Sequence, residues 1–211
     1  MNLLNLVPES ERTKEKLSDL LEDRQLSFLF PLLRIQAELQ AALSKDPSPH
    51  AFFKHIKDTL DVEHHTAPAF ISALVTVLLK HVTQETTLAP GVDTTVNPDK
   101  SLSEKEKECL ARFKQVLQAF LHAHNNLQII AIYALQVFNY TNNFPKGMLL
   151  RWFMYLYDLE IVEEEAFIAW QEDINHDYPG KGKALFQVNQ WLTWLHETEE
   201  DDDEDEEDGD V

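Results

Sequence analysis

Glu163-Glu164-Glu165 is followed by Phe167 and Trp170 and then by Glu172 and Asp173, with Glu160 just ahead of the run. On a helix, residues seven apart return to one face, so Glu165 and Glu172 form a row with Glu164 close beside it. Carboxylates next to large rings suit a cationic partner, because carboxylates pair with ammonium groups and ring faces accept lysines or their methylene stems. An exposed ion pair contributes only about 0.2–1 kcal/mol, so a multivalent lysine-rich segment is the partner that such a row would hold. A second stretch repeats the composition. Residues 184–195 carry Trp191 and Trp194, and an acidic run containing Glu197, Glu199, Glu200, Asp201, Asp202 and Asp203 follows.

Each of these features has a plainer structural reading. Carboxylates at 163–165 also favour a helix start through the macrodipole. Phe167, Trp170 and Trp194 are the candidate anchors, yet helical spacing equally fits a core role for Trp170 and Trp191. Trp194, beside the acidic run, is the ring best placed for partial exposure. The run itself, residues 197–211, has the composition of a solvated, disordered tail.

Other chemistry is poorly supported, and the chain reads as a binding module without enzymatic activity, metal or cofactor. Gly180-Lys-Gly-Lys183 lacks the full phosphate-loop pattern and a preceding strand. His64-His65 and His122-x-His124 lack the helical i,i+4 pairing with a neighbouring acid that marks a zinc site. No nucleophile-elbow or cysteine-centred triad signature is present.

Charge and composition narrow the class further. The net charge is −19 over 211 residues. Twelve of the fourteen residues in 197–210 are acidic, and the rest of the chain carries 25 acids against 18 basic residues. That sign disfavours direct binding to nucleic acid or to an anionic membrane leaflet. A single cysteine, Cys109, excludes an internal disulfide framework. The longest nearly apolar run, 69–79, is too short to span a bilayer, and no signal-peptide pattern opens the chain. These features predict a soluble, cytoplasmic protein.

Almost every segment has helical periodicity, glycine is scarce and no alternating strand pattern persists, so the expected fold class is all-α. Helices are predicted over 27–43, 51–60, 68–81, 103–122, 127–140, 148–157, 163–173 and 181–196, with a weak one over 11–23. Pro47 and Pro49 are read as breakers before 51, and Ser103-Glu-Lys-Glu106 as the capping box that opens 103–122. The punctuated stretch 83–102 is predicted to be a long surface loop. The segment 127–140 is apolar nearly all round and is expected to be central. Consecutive helix pairs at roughly 40-residue intervals suggest an α-solenoid of the HEAT kind, with a compact bundle as the alternative. Residues 1–24 would be an extension, 25–196 the folded domain and 197–211 the tail.

From Phe144-Pro-Lys-Gly-Met-Leu-Leu-Arg151 through Tyr157-Asp158, Glu163–Phe167 with Trp170, and Pro179-Gly-Lys-Gly-Lys-Ala-Leu-Phe-Gln-Val-Asn-Gln-Trp-Leu-Thr-Trp-Leu195, the chain resembles the C-terminal two-tryptophan HEAT domain of several eukaryotic translation initiation factors. Within that family it is nearest to the death-associated branch of initiation factor 4 gamma. The resemblance implies an atypical HEAT domain with acidic-aromatic boxes at about 157–173 and 184–208. It also implies a lysine-rich partner, the beta subunit of initiation factor 2. A mitogen-activated-protein-kinase-interacting kinase is implied as a second partner, and regulation of nucleotide exchange on initiation factor 2 as a more distant alternative. Nothing matches the middle domain of such factors, so the chain reads as a C-terminal piece of one.

Overall fold

The computed structural model describes Leu20, residues 29–174 and residues 177–207, with 29–33 and 198–207 as backbone. The weak helix expected over 11–23 lies, apart from Leu20, outside the described residues. Every regular element among the described residues is helical. In chain order these are α1 (Leu29–Lys45), α2 (Pro49–Thr59), α3 (Pro68–Gln84), α4 (Lys100–Arg112), α5 (Lys114–Leu121), α6 (Asn125–Thr141), α7 (Met148–Asp158), α8 (Glu164–Glu172) and α9 (Lys181–Glu207), with a short 3-10 turn at Val62–His64.

The helices stack in two rows. α1 packs on α3, α3 on α6 and α6 on α8, while α2, α4, α7 and α9 each pack on the helix that precedes them in the stack. This is an all-α, HEAT-like solenoid in which each pair buries its apolar face only against its neighbours. The central position expected for α6 is observed: α3 and α8 cover it from two sides, and Ala131, Ile132, Tyr133 and Leu135 are buried.

Several helix ends differ from the sequence expectation. Pro49 does not break the chain ahead of α2. It occupies the first turn, where its missing N–H costs nothing, and the Ser48 hydroxyl accepts from the Ala51 N–H at 3.3 Å. Ser103 is not the cap of α4. Asp99 comes first after Pro98, accepts from the Leu102 N–H at 2.9 Å and starts the helix at Lys100, which leaves Ser103 inside the first turn. The single helix expected over 103–122 is divided at Phe113. Its ring is buried edge-on against Phe52 at 6.2 Å and His81 at 5.7 Å, and its N–H tightens onto Leu110 O. α9 runs past the expected end at His196 to Glu207, into the segment predicted to be a disordered tail.

Lys105 Nζ donates to Glu85 O at 3.2 Å at the start of loop 85–99, and three further ties hold the loop to the body. The Lys146 N–H donates to Thr94 O at 2.9 Å, and Asn97 lies so close to Gly147 that a Cβ there would meet its Oδ1 at 2.6 Å. The third tie is a buried polar network. Glu106, wholly buried, accepts from the Thr87 hydroxyl and from Arg151 Nε at 3.3 Å, and so links the loop, α4 and α7. A buried carboxylate is tolerable only when paired and hydrogen-bonded.

Glu106→Ala is therefore expected to lower stability by about 3–5 kcal/mol in urea unfolding, because it strands the Arg151 cation. Replacing both partners, as Glu106→Leu with Arg151→Met, should recover a large part of that loss. A single-variant loss near zero would show that the pair does not hold these elements together.

Candidate functional site

α8 is positioned from both ends by α6. The buried Gln128 donates from Nε2 to Leu121 O at 3.1 Å and accepts the Glu163 N–H at 2.7 Å, which satisfies one otherwise unpaired donor at the start of α8. Two helical turns further along, the buried Gln136 accepts from Trp170 Nε1 at 3.0 Å and donates to Pro179 O at 2.8 Å. Between these anchors α8 turns Ala166, Phe167 and Trp170 inward and leaves Glu165 and Glu172 outward.

Phe167 and Trp170 have no accessible surface, which corrects their assignment as partner anchors. Both pack on Phe153 of α7, at 5.2 and 5.1 Å between ring centroids. Trp191 of α9 closes the same cluster, edge-on to Phe153 at 5.8 Å, Tyr157 at 5.8 Å and Phe167 at 5.0 Å. Trp194 sits at the rim, 45% exposed, with its ring edge-on to Tyr157. α9 buries Ala184, Val188, Leu192 and Leu195, and Phe186 is 86% exposed. Two residues on from Ala184 is about 200° around the helix, which turns Phe186 away from that stripe.

The acids divide into two groups. Glu160 ends α7 in a left-handed conformation, φ 52°, where glycine is usual. The Ile161 N–H returns to Leu156 O at 2.9 Å and the Glu160 N–H to Tyr157 O at 2.8 Å, with the apolar pair Ile161 and Leu156 buried beneath. Lys114 Nζ bonds the Glu160 carboxylate at 2.8 Å and holds its pKa below the usual range, first by the hydrogen bond and then by charge. Glu163 lies 3.6 Å from His122 Nδ1. Glu164 is half-buried. Asp173 accepts from the Tyr133 hydroxyl at 2.5 Å and faces the domain interior. Glu165, Glu172 and Glu197 are exposed, and among the described residues no cation lies within 4.0 Å of them. Glu199, Glu200, Asp201, Asp202 and Asp203 continue the backbone of α9.

The sequence reading missed Lys181. Its Nζ lies 3.8 Å from the Trp170 ring centroid and 5.3 Å from that of Tyr133, and it donates to Trp170 O. Burial pushes its pKa down to about 8, with the Asp173 charge opposing. Tyr178 stacks on Tyr133 at 4.1 Å. Gly180, φ 85°, precedes Lys181 where a Cβ would meet Tyr140 at 2.9 Å. A cation inside an aromatic-carboxylate setting is thus already present, supplied by the chain itself. Its signal was the Pro179-Gly180-Lys181 turn.

With this geometry in hand, the comparison with known proteins is specific. Residues 127–205 match the W2 family model described as eIF4-gamma/eIF5/eIF2-epsilon. Residues 127–205 belong to the W2 family. The W2 match takes in α6, α7, α8 and most of α9, the helices that build the acidic-aromatic surface. The chain is also 48% identical over 201 residues to human eukaryotic translation initiation factor 4 gamma 2, and 48% identical over 203 residues to the mouse protein of that name. Each alignment covers 95% of this chain and 22% of the relative, so the chain spans about a fifth of the length of the relatives it matches. Mouse initiation factor 4 gamma 3 is 29% identical over 149 residues, 70% of this chain and 9% of that protein. The expected resemblance to a C-terminal W2, HEAT-type domain of the 4 gamma 2 kind holds.

The ring cluster of the W2 domain sets the next expectation. Trp191→Ala should cost about 3 kcal/mol in denaturant unfolding, because it opens the junction of α7, α8 and α9. Phe186→Ala, which removes an exposed ring, should change stability by less than about 0.5 kcal/mol. Equal effects of the two substitutions would contradict the inward and outward assignment of these rings.

Proposed function

We propose that this chain is a protein-binding module of translation initiation, acting in the cytoplasm, and that its α8–α9 surface docks the lysine-rich segment of the beta subunit of initiation factor 2. The observation that carries the reading is the row Glu165 and Glu172, exposed and without a cation within 4.0 Å among the described residues, on a helix braced by α9. α9 adds the exposed rings of Phe186 and Trp194, then Glu197, and continues into the acidic run. Rings at the rim accept lysine stems while the carboxylates take the ammonium groups. W2 membership and the likeness to initiation factor 4 gamma 2 support a role in initiation.

The surface is fixed before a partner arrives. The rings behind it are packed and α8 is held at both ends, so little ordering of the receptor accompanies binding and the main ordering cost falls on the lysine-rich segment. Charge then sets much of the association rate and makes it sensitive to salt.

Glu165→Gln with Glu172→Gln should weaken binding of the lysine-rich segment by roughly twofold to thirtyfold, from two exposed pairs, and should flatten the salt dependence measured by calorimetric titration. Unfolding should be nearly unchanged, since both side chains face solvent. Equal affinity and equal salt slope in the double variant would reject this row as the docking surface.

A further inference from the structure

The acids at the corner between α7 and α8 are not open in the way that Glu165 and Glu172 are. Three groups from α4, from α5 and from the residue that follows α5 face them in sequence order: Lys107 bonds Asp158 at 2.5 Å, Lys114 bonds Glu160 at 2.8 Å, and His122 lies 3.6 Å from Glu163. Their partners follow one another from Asp158 to Glu163, so all three face the first acidic box from the same side. Gln118 Nε2 bonds Glu160 O at 2.8 Å, which holds the left-handed Glu160 backbone in place independently of its carboxylate.

We infer that this seam is an internal competitor of the partner: Lys107 and Lys114 occupy Asp158 and Glu160, and a lysine-rich segment reaches those two carboxylates only by displacing them. The inference rests on the docking function proposed above. The Glu160 side chain is 81% exposed and the Lys114 side chain only 31%, so an incoming ammonium meets an accessible carboxylate already claimed from below. Exchange there breaks one ion pair for each one made. The net gain is small, whereas Glu165 and Glu172 offer their charge in full. The first box is therefore divided into an open row and a closed row. The closed row limits affinity and leaves the grip to the open acids and to α9.

The experiment is a titration of the full chain with a poly-lysine peptide at low ionic strength, using Lys107→Gln with Lys114→Gln. Freeing two carboxylates should tighten binding by roughly twofold to thirtyfold. Lys107→Arg with Lys114→Arg retains both cations and should bind as the unaltered chain does. Lys54→Gln with Lys80→Gln makes the same change in net charge at exposed lysines outside the seam and should tighten binding far less. An equal gain in that control reduces the effect to net charge and overturns the inference, as does an unaltered chain that binds while the seam variant binds no better. Binding by the seam variant alone supports it in its strongest form. Binding by neither overturns the docking function and the competitor together.

Discussion

Two buried amides of α6 determine where the acidic-aromatic surface lies. Gln128 joins the last carbonyl of α5 to the first N–H of the α8 region, and Gln136 joins the Trp170 indole to the carbonyls that follow α8. They are eight residues apart and share one face of α6. A buried amide that loses a partner costs about 1–3 kcal/mol, so each bond fixes the rotation of α8 as well as its position. Once that rotation is set, Phe167 and Trp170 must face inward and Glu165 and Glu172 must face outward. The acids on this face are thus arranged by a central helix through two side chains that are themselves wholly buried.

The composition of the acidic-aromatic boxes thus divides by task. The inner rings meet edge-on at about 5 to 6 Å, the geometry favoured by ring quadrupoles, and contribute to holding α7, α8 and α9 as one unit. The outer layer carries charge, with Phe186 and Trp194 as the accessible rings. Between the layers the chain uses its own cations. Lys181 lies on the Trp170 ring, and Lys107 and Lys114 hold the corner acids. In three dimensions the acidic-aromatic surface is partly neutralised along one edge and open along another.

Local signals in the sequence located most of the helices and the central place of α6, because hydrophobic periodicity reports burial directly. The stripe Leu110, Phe113, Leu117, Phe120 and Leu121 is buried as its spacing predicts. Its division at Phe113 was not legible, since the cause is a ring packing against α2 and α3 rather than a helix-breaking residue. The start of α4 was misplaced because two capping patterns compete within five residues and Asp99 comes first. The left-handed Glu160 carried no glycine to mark it. For the site, charge and aromatic content singled out α8 and α9, but the inward turn of Phe167 and Trp170 and the pairing of Glu160 with Lys114 depend on contacts between residues far apart in sequence.

The central claim is that the inner rings support the surface and that a partner meets only the outer layer. The four tryptophans provide four indole N–H reporters. In a nitrogen-15 NMR titration with the lysine-rich segment, the Trp194 indole signal should shift progressively while those of Trp152 and Trp170 stay in place. Trp191, which touches Trp194 at 6.4 Å, should follow weakly. A Trp170 signal that moves as far as that of Trp194, at the same peptide concentration, would contradict the account and return the inner rings to the docking surface.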